Sequence, residues 1–260
     1  MRVETLTSTP TPEKVVCQVA RGDYYDGFVP DTDFASLMES VEYDETHVDA
    51  VESLSEFERY NLTMSDETEY RMYALLERLF KKEHFGVWEH PKITLAIEGV
   101  SRACMAQLTR HRHATFDVQS QRYVDFSEKD NTIATPKSLV EETHVSRETG
   151  LVDVSEDEQD QLLDLYETMT DNMLDQYETM VEAGVPKEDA RFMLPIGTTV
   201  NMSVSLNARA LLHIANIREK ADSQWEIREL TNNVVDEAFK DWMPMTYHIY
   251  NQQKPLQLAP

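Results

Sequence analysis

Cysteine and glycine are both scarce in this chain, and their scarcity excludes several kinds of protein. Only Cys17 and Cys104 are present, with no CxxC spacing, so neither a disulfide framework nor a cysteine zinc site is expected. The seven glycines form neither a GxGxxG dinucleotide fingerprint nor a Walker loop. The cysteine content suits a reducing compartment, so the sequence predicts a cytoplasmic protein without a Rossmann or P-loop site.

Long apolar runs and an export signal are lacking as well. No basic segment followed by an apolar one begins the chain, and no run approaches the roughly 18 apolar residues of a membrane span. Hydrophobic residues nevertheless make up 41% of the 260 positions, which is enough for a sizeable core. With no linker or low-complexity segment to divide it, we expect one α+β domain over residues 1–260.

Positive charge is in short supply. The chain has 24 Lys and Arg against 48 Asp and Glu, a formal net charge of −24, so we expect neither nucleic acid nor a membrane surface as a partner. The acids are spread along the chain, and lysine is rarer than arginine, which favours a halophilic protein from a high-salt cytoplasm. Folding and activity that do not improve between low salt and molar KCl would contradict this interpretation.

Two stretches are exceptions to the acidity. Residues 84–123 hold five bases and three acids, and residues 191–218 hold three arginines and no acid. The rest of the chain therefore carries a net charge of −29. An arginine without an internal carboxylate needs another counter-charge, and phosphate suits its planar fork. The two stretches are therefore predicted to bind anions.

Hydrophobic periodicity predicts an α+β arrangement. Strands are expected over residues 15–20, 93–97 and 200–206, with Gly99 ending the second of them. Helices are expected over 34–41, from Ser65 or Asp66 to 82, from Ser101 to Arg110, from Asn207 to Arg218, and from a capping box at 223–226 to a point before Pro244. A strand followed by a capped helix thus occurs twice.

The clearest predicted helix lies within residues 151–185. It opens with a capping box at residues 155–158 and closes at Gly184, and residues 151–190 hold thirteen acids and one base. Its apolar stripe consists of Leu162, Tyr166, Met169, Met173, Tyr177 and Met180. Such a stripe could line a hydrophobic cofactor pocket or pack in the core. We expect core packing, with the acidic face of the helix in solvent, as in a scaffold helix.

Hydrogen-bond donors are concentrated in the first base-rich stretch. Arg and His alternate over residues 110–113, and Ser120, Gln121 and Arg122 add a hydroxyl, an amide and a second fork, enough to hold a phosphate and read a base edge. Each histidine taken alone is more often an ordinary one. A metal site near His84 and His90 is not expected, because arginine charge opposes a cation and no HExxH spacing occurs.

These residues resemble one family. Arg110-His111-Arg112, seven further residues and Ser120 match the RHR-x7-S signature of the flavin-dependent thymidylate synthases. Four more segments resemble the family's motifs in the same order, namely the HxxxxEH-like residues 84–90, then 191–195, 207–209 and 218–226. The resemblance covers residues 84–230, which form the motif-bearing core, and five ordered motifs make chance a poor explanation.

The resemblance implies an α+β fold with a central, mostly antiparallel sheet flanked by helices. It also implies a homotetramer with active sites built from several subunits, and FAD as the cofactor. The implied enzyme is a methyltransferase that converts dUMP to dTMP with methylenetetrahydrofolate as one-carbon donor and NADPH as reductant. No cysteine nucleophile is needed, which agrees with two cysteines that lack an adjacent His or Lys in sequence.

The resemblance also implies roles for particular residues. It places around dUMP Gln107, Arg110, Ser120, Gln121, Arg122 and Arg191. It places on FAD Arg110, His111, Arg112, Asn207, Arg209 and His213, with Gly86 close to the cofactor through its backbone. His84 is expected to face the folate and nicotinamide side. Arg218 is expected beside the uracil, where its charge favours an enolate-like pyrimidine, and it is the expected catalytic residue.

The sequence departs from the family pattern at two positions. Val118 stands where the family often has Glu or Gln, with Asp117 or Gln119 as candidate substitutes, and Gly86 stands where Ser or Thr is common. Neither departure removes an arginine. Two other functions remain open at this point, a non-catalytic nucleotide-binding module that uses the same arginines and an acidic structural protein. The segments around His84 and Asn207 favour the enzyme, because nucleotide binding alone does not require them.

Overall fold

A computed structural model of the chain describes residues 1–54, 64–126, 133–140, 143–146, 150–153 and 155–253. The strands are β1 (Arg2–Ser8), β2 (Lys92–Ser101), β3 (Thr115–Val118), β4 (Thr143–Ser146), β5 (Gly150–Asp153) and β6 (Thr199–Asn207). The helices are α1 (Pro12–Gly22), α2 (Phe34–Met38), α3 (Glu45–Glu52), α4 (Asp66–Lys81), α5 (Arg102–Leu108), α6 (Glu156–Glu182), α7 (Lys187–Ala190), α8 (Ala208–Arg218), α9 (Trp225–Asn233), α10 (Lys240–Trp242) and α11 (Pro244–Gln252).

The main sheet is antiparallel and has four strands in the order β1-β2-β6-β3. Strands β4 and β5 form a separate antiparallel pair in which Thr143 lies opposite Asp153. The expected α+β class, with a mostly antiparallel sheet flanked by helices, is confirmed. None of the helices among the described residues is both long enough and apolar enough to cross a membrane.

Strands β2 and β6 show the alternation that predicted them. Ile93, Leu95 and Ile97 are buried in β2, and Val200 and Met202 begin the same pattern in β6. The prediction that Gly99 ends β2 is wrong, because the strand continues to Ser101. Gly99 adopts a φ of +76°, which glycine tolerates without cost, and its N–H donates to Asn201 Oδ1 at 3.2 Å.

The predicted strand over residues 15–20 is wrong. These residues belong to α1, and the N-terminal strand is β1 instead. Pro12 stands in the first turn of α1, where its missing N–H costs nothing, and Val16 and Ala20 are buried four residues apart on one face. A short apolar run fits a buried helix as well as a strand, so its periodicity alone did not decide between them.

Helix caps agree with the sequence at several positions. Ser101 Oγ accepts from Cys104 N at 3.0 Å, and Asn207 Oδ1 accepts from Ala210 N at 2.8 Å, so β2 and β6 each lead directly into a capped helix. Ser155 and Glu158 form the reciprocal capping box predicted for α6. Helix α5 ends at Leu108, slightly before the predicted end.

The last predicted helix begins one residue later than expected. Gln224, not Ser223, is its cap, because Gln224 Oε1 accepts from two backbone N–H groups, each at 3.1 Å. The hydroxyl of Ser223 donates instead to Ile217 O at 3.1 Å. Helix α9 continues through a π-helical turn into α10, which ends before Pro244 as expected. Helix α11 was not predicted.

Helix α6 lies within the predicted 151–185 segment, but its apolar stripe does not all reach the core. Tyr177 is buried, whereas Leu162 and Met169 are 41% and 49% exposed, and the neighbouring Leu165 is 57% exposed. The prediction of core packing is therefore wrong for Leu162 and Met169. Hydrophobic periodicity identifies the apolar face of a helix but not what covers that face.

The chain divides into two compact units, each made of segments distant in sequence. The first unit contains Met1 and residues 97–110 and 117–202, and the second contains residues 2–96, 111–116 and 203–260. Aromatic packing is prominent in the core of the second unit. Phe80 meets Phe85 and Trp88 edge to face at 5.1 and 5.5 Å between ring centroids. This packing fixes the 3-10 turn Phe85–Glu89, which carries Gly86.

Candidate active site

The first unit contains the residues that the resemblance assigns to dUMP apart from Arg218, and two of its arginines converge on Glu188. Arg122 Nε lies 2.5 Å from Glu188 Oε2, and Arg191 Nε donates to the backbone carbonyl of Glu188 at 2.9 Å. The premise that these arginines lack an internal carboxylate is therefore wrong for Arg122. Each contact uses Nε, and the two terminal amino groups of a guanidinium carry four further N–H donors with which it can bind a second acceptor.

A third arginine belongs to this group although it was not predicted. Arg102, at the start of α5, has its pKa lowered by burial and then by the like charge of Arg191. Two guanidinium groups close enough to affect each other, and partly removed from water, favour an anion between them. Arg102 lies in the base-rich stretch 84–123, and that stretch was the signal available in the sequence.

Gln121 and Ser120 lie in the turn that carries Arg122. Gln121 is buried, and its Nε2 has no hydrogen-bond partner among the residues that the structure describes. A buried amide donor of this kind costs about 1–3 kcal/mol unless a ligand satisfies it. Ser120 Oγ accepts from the N–H of Arg122 at 3.2 Å, so the hydroxyl stabilises the turn and keeps its own hydrogen to donate.

The remaining nucleotide residues lie at the end of α5. Gln107 is in its last turn, and the N–H of Arg110 donates to the carbonyl of Gln107 at 3.3 Å. Two residues are candidates to replace the Glu or Gln that the family often has at the position of Val118. One of them, Gln119, already uses its Oε1, which accepts from Asn201 N at 3.3 Å. Asp117 is exposed.

The second unit brings together four residues that the resemblance assigns to the flavin and to catalysis. Arg218 Nε donates to His111 Nε2 at 3.0 Å, and the rings of His111 and His213 meet edge to face at 6.3 Å. The pKa of His213 is lowered by burial, and then by the nearby positive charge of His113 and Arg209. The site therefore favours a neutral imidazole at His213 beside fixed guanidinium charge.

Arg209 and the turn at Phe85–Glu89 form the other part of this group. The guanidinium of Arg209 pairs with the carboxylate of Glu89, a contact that the sequence did not predict. A Cβ atom added at Gly86 would meet no atom of the described residues within 4 Å, so open space lies next to the turn. His84 and Arg112 are exposed, and within the described chain no side-chain contact ties either of them to this group.

His84 follows an unusual backbone position. Glu83 adopts a φ of +58°, a conformation that non-glycine residues rarely adopt and that costs about 1 kcal/mol or more. The N–H of His84 donates to Leu79 O at 3.0 Å, which sets the end of α4 against the following turn. No group of three or more His, Cys, Asp or Glu side chains is placed to hold a metal among the residues described.

The fold and the clustered cationic groups are those of an α+β protein suited to anionic ligands. A family model described as thymidylate synthase complementing protein (Thy1) matches residues 4–245. The flavin-dependent thymidylate synthase of Halobacterium salinarum is 39% identical over 97% of this chain and 96% of its own length. That of Haloarcula marismortui is 38% identical over the same shares of the two chains.

A solved structure agrees with the fold. The UMP/dUMP methylase PolB from Streptomyces cacaoi, bound with 5-Br dUMP, superposes with a TM-score of 0.74 at 19% identity, covering 98% of this chain and 96% of PolB. The family model and the two haloarchaeal relatives show that the chain belongs to the family of flavin-dependent thymidylate synthases. The expected class of enzyme, a flavin-dependent methyltransferase, is confirmed.

Proposed function

We propose that this chain converts dUMP, methylenetetrahydrofolate, NADPH and a proton into dTMP, tetrahydrofolate and NADP, with FAD as the resident flavin. The observation that carries the proposal is the grouping of Arg102, Arg122 and Arg191 near the buried amide donor of Gln121. Three arginines match the charge of a nucleotide phosphate, and a buried amide matches a base or phosphate oxygen. The haloarchaeal relatives support the substrate class through their names.

Among the residues proposed to bind dUMP, the arginines would contact the phosphate and the polar side chains would contact the phosphate and the base. Arg191 and Arg122 each use Nε on Glu188, which leaves their paired amino groups for phosphate oxygens. Arg102 adds a partly desolvated charge, and Ser120 adds a hydroxyl from the turn. Gln107 and Arg110, at the end of α5, complete the proposed dUMP site.

Arg218 is the proposed catalytic residue. As C5 of the uracil becomes nucleophilic, negative charge develops on the ring carbonyl and N3, and a fixed guanidinium lowers the energy of that state. Arg218 is the last residue of α8, where a cation also interacts favourably with the helix dipole. The C5 proton leaves once the one-carbon unit is attached.

The residues of the second unit fit a flavin dinucleotide. Open space beside Gly86 admits a ligand close to the backbone, and Arg209, His111 and His213 supply the donors that a pyrophosphate and a flavin ring require. Asn207 caps α8 through Oδ1, which leaves its NH2 group as a donor. Arg112 is an exposed cation next to His111 in sequence. FAD, when bound and reduced by NADPH, would supply the hydride that completes the methyl group. His84 would face the folate and nicotinamide side.

Assembly into a homotetramer is part of the proposal. The first unit exposes large apolar side chains, including Phe192 at 83% and Ile196 at 70%, besides those on α6. Exposed apolar groups in such number suit a surface covered by further copies of the chain. Active sites shared between subunits would then combine residues of different copies.

Purified protein in molar KCl tests the proposal. We expect a yellow protein whose flavin spectrum shifts when dUMP is added, and tritium release from dUMP labelled at C5 that requires both the folate and NADPH. A protein that binds dUMP but takes up no FAD and releases no tritium would be the non-catalytic binding module instead. A melting temperature that does not rise with dUMP would favour the structural protein.

A further inference from the structure

The contact between Arg218 and His111 specifies the protonation state of the histidine. A guanidinium has five N–H donors and no acceptor, so Nε2 of His111 must accept the hydrogen of Arg218 Nε across the 3.0 Å that separates them. A ring nitrogen accepts only when it carries a lone pair. His111 is therefore neutral in this arrangement, with its proton on Nδ1.

Several cationic side chains lie at or near the contact between His111 and Arg218. Helix α8 presents Arg218 and His213 to this ring, and His213 in turn has Arg209 and His113 near it. The sequence neighbours Arg110 and Arg112 add two more cations. A proton on His111 would therefore place a second positive charge directly against Arg218.

A proton on Nε2 reverses the interaction. The ring nitrogen then carries a hydrogen that points at the hydrogen of Arg218 Nε, and two positive charges stand 3.0 Å apart. Neither group retains an acceptor for the other, so the guanidinium must leave its position. The ordinary pKa of histidine lies near neutral pH, so a profile of turnover that extends to acid pH can report this change.

We propose that His111 is a positioning residue for Arg218: its neutral ring holds the guanidinium in place, and protonation of the ring releases it. The inference rests on the catalytic role proposed above for Arg218. His111 would then have a second role besides any contact with the flavin, because it would orient the guanidinium of Arg218. A histidine also makes this task dependent on pH, whereas an amide acceptor in its place would not.

The pH profile of turnover tests the proposal. In the holoenzyme saturated with FAD, we expect kcat for tritium release to fall about tenfold per pH unit on the acid side, as for loss of one essential neutral group. His111→Gln keeps an acceptor oxygen but cannot be protonated, so its profile should lack this acid limb, whatever its absolute rate. His113→Gln is the matched control, because it removes an exposed neighbouring histidine, and it should keep the limb.

A second measurement avoids reliance on the folding of His111→Gln. Hydrogen–deuterium exchange at the imidazole C2 position, read by mass spectrometry, reports the pKa of each histidine in the assembled protein. Removing the charge and the donor of Arg218 by Arg218→Ala should raise the pKa of His111 and leave that of His90, which lies on the surface, unchanged. This readout needs no turnover.

The outcomes separate the inference from the proposed function. An acid limb that persists in His111→Gln, or a pKa of His111 that does not respond to Arg218→Ala, overturns the positioning role. Wild-type protein that releases no tritium at any pH overturns the proposed function instead. In that case a response of His111 to Arg218→Ala would still support the coupling of the two residues, without its catalytic consequence.

Discussion

Arg122 and Glu188 form an ion pair in the first unit, with Nε of the arginine 2.5 Å from Oε2 of the glutamate. Both side chains are partly exposed, so the pair itself contributes only about 0–1 kcal/mol to stability. The pair matters more for the orientation of the Arg122 side chain. The same Glu188 also accepts the hydrogen bond of Arg191 through its carbonyl, so one residue orients two predicted phosphate ligands.

Glu188→Ala should weaken dUMP binding by about three- to tenfold, because an arginine without its Nε partner loses the orientation of its fork. Titration calorimetry with dUMP measures this directly, and Asp189→Ala, which removes an acid next in sequence, should change the affinity little. Tighter binding by Glu188→Ala would show that the carboxylate competes with the phosphate and does not orient the arginine.

Glu89→Gln should weaken FAD binding several-fold while leaving the free energy of unfolding within about 0.5 kcal/mol of wild type. The carboxylate of Glu89 pairs with Arg209 at a partly exposed position, where an ion pair adds little stability but still fixes the arginine. Flavin fluorescence on dilution measures retention of FAD. Glu83→Gln changes the charge equally at an exposed position before the same turn, and its FAD affinity should match that of wild type.

Gly86→Ser should fold as well as wild type and bind FAD more tightly, by up to about 1 kcal/mol or roughly fivefold. The position has open space around it, so the added side chain meets no neighbour among the described residues. Gly86→Ala is the control, since it adds the same carbon without the hydroxyl. If the two variants bind FAD equally well, the hydroxyl common in the family makes no contact here.

Leu165→Lys should shift the assembly towards smaller species in sedimentation velocity experiments in molar KCl. Leu165 is 57% exposed on α6, and a charge placed there would be buried if another copy covers this face. Glu167→Lys places a lysine on the same exposed helix but about 200° around it, and it should leave the assembly intact. An unchanged sedimentation coefficient for Leu165→Lys would place the subunit contact elsewhere.

Tyr73 should make the protein lose stability at alkaline pH. Burial, and then the charges of Glu77 and Glu13, raise the pKa of Tyr73 from 10.0 to about 12 in the folded chain. Between these values the unfolded chain has released the proton while the folded chain holds it, so stability falls as pH rises, by about 2–3 kcal/mol in total. Urea unfolding at pH 9 and near pH 11.5 covers most of this range, so Tyr73→Phe should lose about 2 kcal/mol less than wild type between the two pH values.

The sequence predicted local features, such as helix caps and strand alternation, better than it predicted which residues meet in the fold. The caps at Ser101 and Asn207 depend on atoms three residues away, and the alternation of β2 depends on its own side chains. Arg102 was missed because its role depends on Arg191, which is remote in sequence and near in space. The exposure of Met169 was missed because a helix does not encode what covers its apolar face.

The caps at Ser101 and Asn207 also fix where α5 and α8 begin. Each sets the first residue of a helix whose far end carries predicted ligand contacts, Gln107 on α5 and Arg218 on α8. One residue inserted within α8 would turn Arg218 by about 100° and advance it by about 1.5 Å. Substitutions on the outer face of these helices should therefore be tolerated far better than insertions or deletions of even a single residue.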